Sequence, residues 1–266
     1  MPCSAAAADW VGALVDPARV AAVPEQVEKY STLRLDPETW KDHPRFYRVD
    51  AENVLAYGPD LVLVSPLTNP ATVERMREVG LEVLVVEEPT TWPQLLEAGQ
   101  AVAEATGTEI RWKAFRSELE ARRQALQERS PARPLRVLPY GNFGADSYTS
   151  GAGTTIDLAI SLSGQRNHAR DLGLESSANI SAETLLAGPF DAFVVGGTKG
   201  ASQSAAALRG NPLLQGLAPV AGERMIYLHD ALYSSGSFTI LDAAEQIADQ
   251  AANLAEVDGN AQGQNR

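Results

Sequence analysis

Cysteine and histidine are scarce in this chain of 266 residues, and each shortage excludes a kind of site. The single cysteine, Cys3, cannot form an internal disulfide, and it rules out a cysteine-cluster metal site or an iron–sulfur site. The three histidines, His43, His168 and His229, lie far apart and lack the spacing of a zinc motif. We therefore expect no metal held by the protein's own side chains.

Positive charge is also in short supply, since 22 basic residues face 34 acidic ones and the formal net charge is −12. Only four of the basic residues are lysines. This balance argues against non-specific binding to nucleic acid and against docking on anionic lipid. No apolar run approaches the roughly 18 residues that a membrane-spanning helix needs, and no apolar signal segment is visible in the chain.

Signatures of catalysis are missing as well. The sequence has no Gly-Lys dipeptide of a phosphate-binding loop, no complete glycine fingerprint after a strand, no serine elbow and no zinc-protease motif. Glu87 and Glu88 stand side by side at a predicted strand end and are candidates for acid–base work. A solvated strand end is the simpler interpretation of the pair, so we do not expect an enzyme.

The sequence does contain short apolar runs rich in Val, Leu and Ile. Such continuous runs predict strands buried on both faces, as in a parallel sheet. They occupy residues 19–23, 61–64, 82–86, 135–138, 192–195 and 225–228. Helical patterns separate them, at residues 5–15, 70–79, 92–106, 109–129, 154–162, 181–186 and 240–254. This alternation indicates an α/β fold.

One interval between predicted strands is about twice as long as the others and contains a second helix. A helix of about 20 residues spans about 30 Å, which is enough to connect two lobes. We therefore predict an N-terminal α/β lobe over 1–108, a connecting helix over 109–130 and a C-terminal α/β lobe over 131–254. Residues 255–266 are low in complexity and predict a disordered tail. The alternative is an extra surface helix on one large sheet.

Polar and aromatic loops follow the predicted strands, and ligands of open α/β sheets bind at these carboxyl ends. Two lobes that face each other through such loops would form a ligand cleft. Flat apolar walls are predicted from Tyr30, Trp92, Tyr140, Phe143, Tyr148 and Tyr233, and polar contacts from Ser65 and Lys199. For each aromatic residue, the alternative is a place in the core or at a hinge.

Several weak motifs occur in a fixed order along the chain. Residues 50–64 combine a glutamate, an apolar helical turn and a Pro-Asp-Leu-Val strand start, and residues 181–195 repeat this unit. Residues 151–167 run toward the element Gly-Gln-Arg-Asn. In this order of motifs, over almost the whole of residues 2–250, the chain resembles the helical-backbone (class III) periplasmic solute-binding proteins of ABC importers. Members of this family bind vitamin B12, haem or ferric siderophores.

The resemblance implies two Rossmann-like lobes with parallel sheets, joined by a single long backbone helix, with the ligand cleft between them. It implies an extracytoplasmic monomer that has no resident cofactor and delivers a small metal chelate to a membrane permease. In the family one glutamate on each lobe docks onto permease arginines, and by motif position these are Glu52 and Glu183. The alternative role of each glutamate is to stabilise its own helix through the helix dipole.

The ligand stays open between a corrinoid and a ferric chelate, with haem ranked behind them. Haem carriers of the family often ligate iron through Tyr or His, and Tyr47 falls near that place without a clean alignment. Arg45 and Arg48 are able to pair with carboxylates of haem or of a siderophore. Two other functions stay as alternatives, a chelatase-like enzyme and a sensor or interaction domain without a transport role.

The beginning of the chain departs from the family pattern. Family members open with a short strand, then Pro-small-Ser, then a helix, whereas this chain starts at Met1-Pro2-Cys3-Ser4. We therefore expect the first strand to be missing and the chain to be truncated or its start misassigned. The small-residue run that follows, in place of an early acid, also puts residues 2–4 in doubt as ligand contacts.

Overall fold

The computed structural model describes residues 1–143, 146–196 and 200–263, which form two compact units. The first unit contains residues 1–120 together with the short segment 235–239. The second contains the described residues of 121–234 and those from 240 onward. No helix of the described chain is both long enough and apolar enough to cross a membrane.

The first unit alternates short strands and helices. Its strands are β1 (Val23–Pro24), β2 (Arg45–Phe46), β3 (Leu61–Val64) and β4 (Glu82–Val85). Its helices are α1 (Ala5–Leu14), α2 (Val27–Tyr30), α3 (Pro37–Trp40), α4 (Ala51–Leu55), α5 (Pro70–Glu78), α6 (Trp92–Thr106) and the first part of α7 (Glu109–Glu128). Two short 3₁₀ turns, Pro17–Arg19 and Thr32–Leu35, complete it. All four residues of β3 are buried, as the continuous apolar run predicts.

Strand pairing in the first unit is parallel and begins at the first residues of the chain. β3 pairs in parallel with β4, and β1 pairs in parallel with β2. Met1 and Cys3 also pair with β3, because the amide of Cys3 donates to the carbonyl of Leu63 at 2.7 Å and the amide of Leu63 donates to the carbonyl of Met1 at 3.0 Å. Strand-like pairing thus precedes α1, where the sequence led us to expect none. Three residues with a proline in the middle are too short for a strand pattern to be recognised.

The second unit is built on a six-stranded sheet. Its strands are β5 (Arg136–Phe143), β6 (Asp146–Ser150), β7 (Arg166–Asn167), β8 (Ser177–Asn179), β9 (Ala192–Gly196) and β10 (Met225–Tyr227). Its helices are the end of α7, α8 (Thr155–Leu162), α9 (His168–Asp171), α10 (Ala182–Leu186), α11 (Ala201–Gly210), α12 (Ala218–Ala221), α13 (Asp230–Tyr233) and α14 (Ile240–Gly263). The strand order is β10-β9-β5-β6-β8, with β7 beside β5. β5, β7, β9 and β10 pair in parallel, and β6 is antiparallel to β5 and β8.

The α/β class with parallel sheets is confirmed, and three details differ from the sequence prediction. Of the predicted strand 19–23, only Val23 lies in a strand, the two-residue β1, and Arg19 belongs to the 3₁₀ turn that begins at Pro17. Residues 146–150, for which the sequence predicts no strand, form β6 and pair antiparallel with β5 and β8, because an antiparallel strand with one partly exposed face tolerates polar and small residues. The backbone of α14 is helical through Gly263, whereas we expected disorder from residue 255. Extending an existing helix costs little because nucleation is already complete.

Helix α7 is anchored to α14 inside the second unit. The guanidinium of Arg122 donates to Glu245, with Nε 2.9 Å from Oε1, and it also pairs with Asp242. The two carboxylates raise the pKa of Arg122 above its usual range, despite its partial burial. Arg129, just past the end of α7, pairs with Asp249, and this pair lies about two helical turns beyond that of Arg122 with Asp242. The boundary between the units falls inside α7, after Glu120.

Four aromatic side chains form a cluster in the first unit. The ring of Trp10 meets those of Trp112 and Phe238 edge-on, with centroids 5.9 and 5.1 Å apart, and Phe238 meets Phe115 at 4.9 Å. Gly99 of α6 lies against this cluster, where a Cβ atom would stand 2.4 Å from Cη2 of Trp112 and 2.9 Å from Cζ3 of Trp10. The cluster therefore requires a residue without a side chain at this place in α6.

We predict that Gly99→Ala lowers the free energy of unfolding by about 1–3 kcal/mol, because overpacking forces the two indole rings apart. Chemical denaturation measures this loss. Gly210→Ala in α11 is the matched control, since nothing lies within 4 Å of a Cβ atom there. The control is expected to be neutral or slightly stabilising through helix propensity. Equal stability of both variants would contradict the packing described for Gly99.

Candidate ligand-binding surfaces

A cavity of about 430 Å³ opens in the first unit where β4 ends and α6 begins. Its apolar wall comes from the strand end and from small residues of α6. Its polar rim is rich in hydrogen-bond acceptors, and the lining residues are Leu84, Val85, Val86, Glu87, Glu88, Thr90, Gln94, Glu97, Ala98 and Ala101. No lysine or arginine lies on this lining. A cavity of this composition favours neutral or cationic hydrogen-bond donors over anions.

Glu88 is one of three glutamates that line this cavity, and its pKa is raised. The residue is exposed overall, but partial burial of its carboxyl group raises its pKa, and the negative charge of Glu87 raises it further. Its side chain lies close to Gly236, where a Cβ atom would stand 3.0 Å from Cγ of Glu88 and 3.3 Å from Cβ of Ala6. The glycine leaves room for the glutamate beside the cavity.

A buried carboxylate, Asp9 of α1, holds the segments next to this region. Its Oδ1 accepts hydrogen bonds from Oγ of Ser31 at 2.6 Å and from both the amide and Oγ1 of Thr32 at 2.8 Å. Its Oδ2 accepts from Oγ of Ser237 at 3.0 Å. Burial raises the pKa of Asp9, and the donated hydrogen bonds oppose that rise. Because every donor comes from another segment, Asp9 joins α1, the turn after α2 and segment 235–239.

The candidates of the first unit occupy different environments. Tyr47 is 75% exposed, and Tyr30 is half-buried with the ammonium of Lys29 5.2 Å from its ring centre. Ser65 closes the turn after β3 by accepting the amide of Leu67 at 3.1 Å. Trp92 is buried at the start of α6, which differs from the open wall we expected of it.

Arg45 and Arg48 were candidates for pairing with ligand carboxylates. The guanidinium of Arg45 is engaged in its own loop, where it donates to Glu28 at 3.0 Å and to two backbone carbonyls. Arg48 is exposed, with its Nε 3.4 Å from a carboxylate oxygen of Asp50. Arg45 is thus already committed to structure, and only Arg48 keeps an open position.

In the second unit, Tyr140 of β5 is buried in the core, where its ring meets Phe193 edge-on at 5.8 Å. Its hydroxyl lies 2.8 Å from Oγ of Ser147, across the β5–β6 pair. The predicted open wall is therefore a packed strand residue, because its position in β5 points it into the sheet core. Tyr148 is half-buried in β6.

Two predicted residues of the second unit lie wholly or partly outside the described residues. Lys199 is one of them, so its predicted contact stays a prediction. Phe143 ends β5 as backbone, and its side chain is not among the described ones.

Tyr233 lies directly on the end of β9. A Cβ atom on Gly196 would stand 2.1 Å from Cγ and from Cδ2 of Tyr233, so the ring covers the glycine. Burial raises the pKa of the Tyr233 hydroxyl well above its usual range. The residue therefore remains a neutral phenol that packs on the backbone at the strand end.

The three histidines serve structural purposes. The Nε2 of His43 is 2.9 Å from the carbonyl of Pro17, and Nδ1 of His229 accepts the amide of Ala231 at 3.2 Å. His168 is buried and stacks on Phe190 at 5.4 Å. The described residues contain no group of three or more His, Cys, Asp or Glu side chains that could hold a metal ion. Nothing here favours the chelatase-like alternative.

Glu52 and Glu183 occupy the same position in two equivalent helices. Each lies in the first turn of a five-residue helix, α4 or α10, that precedes a parallel strand. Asp50 caps α4 by accepting the amide of Asn53, and Ser181 caps α10 by accepting the amide of Thr184. Both glutamates are exposed, and within the described chain neither carboxylate has an ion pair. Their carboxylates are therefore available to a partner.

Sequence reasoning missed Asp9 and its hydroxyl donors. Asp9 follows a run of alanines, and such a run gives no sign that the next side chain is buried. The Ser-rich segment 235–239 resembled a loop after a strand. The position of Asp9 between small and apolar residues is a weak signal, because a buried acid requires hydrogen-bond donors from elsewhere in the chain, but it does not identify those donors.

The described residues form two α/β units, and the first of them has an acceptor-rich cavity at the end of β4. The chain belongs to the periplasmic binding protein family, whose model matches residues 4–232. A cobalamin-binding protein of Halobacterium salinarum is 31% identical over 154 residues, which make up 56% of this chain and 41% of that protein. The match thus spans less than half the length of this curated relative.

Solved structures share the fold over nearly the whole chain. The apo form of the periplasmic heme-binding protein RhuT from Roseiflexus sp. RS-1 is 24% identical with a TM-score of 0.80, over 94% of this chain and 97% of that one. FhuD2 from Staphylococcus aureus with bound ferrioxamine B is 16% identical with a TM-score of 0.73, over 96% and 98%. These likenesses show the fold.

We predict that Asp9→Ala lowers the free energy of unfolding by about 2–4 kcal/mol, because it leaves buried hydroxyl donors without an acceptor and opens a void. Denaturant titration measures the loss. Asp42→Ala is the control, since Asp42 is exposed in a turn and its removal is expected to change stability by less than about 0.5 kcal/mol. A loss at Asp9 no larger than at Asp42 would show that the network does not hold the first unit together.

Proposed function

We propose that this periplasmic binding protein is the solute-binding component of an ABC importer. It captures a metal chelate outside the cytoplasm and delivers it to a membrane permease. It acts as a monomer without a resident cofactor, and the metal arrives inside its ligand. No enzymatic step is part of this role. The family membership supports the proposal, together with the acceptor-rich cavity at the end of β4 and two exposed glutamates on equivalent helices.

Among metal chelates, the cavity at the end of β4 favours a corrinoid, and this observation carries the proposed ligand class. The corrin rim bears amide groups, whose N–H donors match the acceptors Glu87, Glu88, Thr90 and Gln94. Haem carries anionic propionates, which Glu87 and Glu88 would repel. We therefore rank cobalamin first, ferric siderophores second and haem third. The name of the Halobacterium salinarum relative points to the same ligand.

The cavity belongs to the first unit alone, and its volume of about 430 Å³ is at the lower end of the range for small-molecule pockets. We therefore assign to it one edge of the ligand, the amide-bearing rim, and not the whole molecule. Tyr30, Tyr47, Ser65, Phe143, Tyr148, Lys199 and Tyr233 stay proposed as further contacts.

Cyanocobalamin, ferrioxamine B and haem distinguish the three ligand classes. We expect cyanocobalamin to bind this chain most tightly in isothermal titration calorimetry, with haem the weakest. Tighter binding of haem would overturn the proposed ligand class, and the absence of binding by all three would contradict the solute-binding role itself.

We further predict that affinity for cyanocobalamin falls as the pH is lowered through the raised pKa of Glu88. An amide donor binds the ionised carboxylate better, so protonation of Glu88 weakens the complex. Glu88→Gln is expected to lower affinity about 3–10-fold at neutral pH and to flatten this pH dependence. Glu82→Gln, at the opposite end of β4, is the control, and an unchanged pH profile in Glu88→Gln would remove Glu88 from the site.

Delivery to the permease is proposed to depend on Glu52 and Glu183. An exposed carboxylate without an internal partner loses little by pairing with an arginine, and a bidentate pair fixes orientation as well as position. Two such pairs, one on each unit, set the register of the complex and speed its formation by electrostatic steering.

We expect the double variant Glu52→Gln, Glu183→Gln to bind the reconstituted permease at least about tenfold more weakly at low salt, mainly through a slower association rate. Biolayer interferometry on permease in lipid nanodiscs measures both rates. Glu74→Gln, on the exposed face of α5, is the control for a lost surface charge. Unchanged association of the double variant would remove these glutamates from the docking surface.

A further inference from the structure

Each docking glutamate has an exposed leucine beside it, and the pair recurs in both units. Leu55 ends α4 with 42% of its surface exposed, and Leu186 ends α10 with 50% exposed. Each leucine follows its glutamate by one helical turn, three positions along the chain. Side chains at this spacing lie on the same face of a helix. Each unit therefore has one helix face that combines an exposed glutamate with an exposed leucine.

Single exposed leucines are common on protein surfaces and need no explanation. These two are different because they occupy equivalent positions after the caps Asp50 and Ser181, in helices that both lead into a buried parallel strand. The other side of each helix is packed, since Val54 and Leu185 are buried in their own units. Folding of the unit therefore does not explain why the outer position is apolar twice.

We propose, resting on the docking role of Glu52 and Glu183, that Leu55 and Leu186 are apolar anchors of the same two contacts. This requires the permease to have an apolar surface next to each arginine that pairs with Glu52 or Glu183. The charge pair governs association and weakens in salt, because exposed charges are screened. The leucine governs dissociation, since burial of apolar surface is not screened and hot-spot contacts act mainly on the rate of leaving.

Leu55→Ser and Leu186→Ser test the proposal against the reconstituted permease in lipid nanodiscs. We expect each variant to bind about fivefold more weakly, with a faster dissociation rate and an unchanged dependence on ionic strength. The glutamate variants are expected to show the reverse pattern, with slower association and a flatter salt dependence. Melting temperature and cyanocobalamin binding report whether each leucine variant remains folded.

Leu35→Ser and Leu213→Ser are the matched controls, since these leucines are 72% and 67% exposed and lie outside the two helices. Loss of binding at Leu55 and Leu186 but not at the controls supports the anchors. Equal effects at all four leucines, or none at Leu55 and Leu186 while the glutamate variants still weaken binding, overturn this inference alone. Undiminished binding of the glutamate and leucine variants together instead contradicts the proposed docking itself.

Discussion

The buried carboxylate of Asp9 is the constraint on which the arrangement of the first unit depends. A charge or a polar group in an apolar interior is costly unless it is hydrogen-bonded, so Asp9 requires donors from outside its own helix. It finds them in Ser31 and Thr32, about twenty positions later, and in Ser237, near the end of the chain. Ser237 belongs to a segment whose neighbours on both sides lie in the second unit. The hydrogen bond from Ser237 to Asp9 thus fixes segment 235–239 to α1.

The same constraint reaches the candidate ligand cavity. Once Ser237 is fixed by Asp9, Gly236 is fixed beside it, and Gly236 stands against the side chain of Glu88. Phe238, on the other side, completes the aromatic cluster around Trp10. Glu88, the acid of the cavity rim whose pKa is raised, therefore lies beside a segment that is held by the hydrogen bond between Ser237 and Asp9. This is how a strand-end loop, which has few contacts of its own, acquires a defined conformation.

The sequence predicted those features that depend on local pattern. β3 and α6 were predicted at their observed bounds, because a buried strand and a helix with a Thr cap, an early proline and a terminal Gly107 carry their own signals. Features that depend on distant partners were missed. Trp92 and Tyr140 are aromatic residues near predicted strand ends, where a ligand-binding wall is expected, and only the folded structure shows that both are buried. The hydrogen bonds of Asp9 could not be predicted, because no local pattern connects α1 with segment 235–239.

The exposed acidic residues of the chain differ in whether a basic residue pairs with them. Some exposed acids are balanced nearby, such as Glu78 by Arg75 at 3.0 Å. Glu52 and Glu183 are not, and each shares its helix face with a leucine. A net charge of −12 alone describes solubility and steering, not a binding surface. These two acids differ from the others because each lies in the same arrangement: a capping residue, the acid, and an exposed leucine, in a short helix that precedes a buried strand. Folding does not require this arrangement, and yet it occurs in both units. In the proposed docking, specificity therefore depends on that context more than on charge.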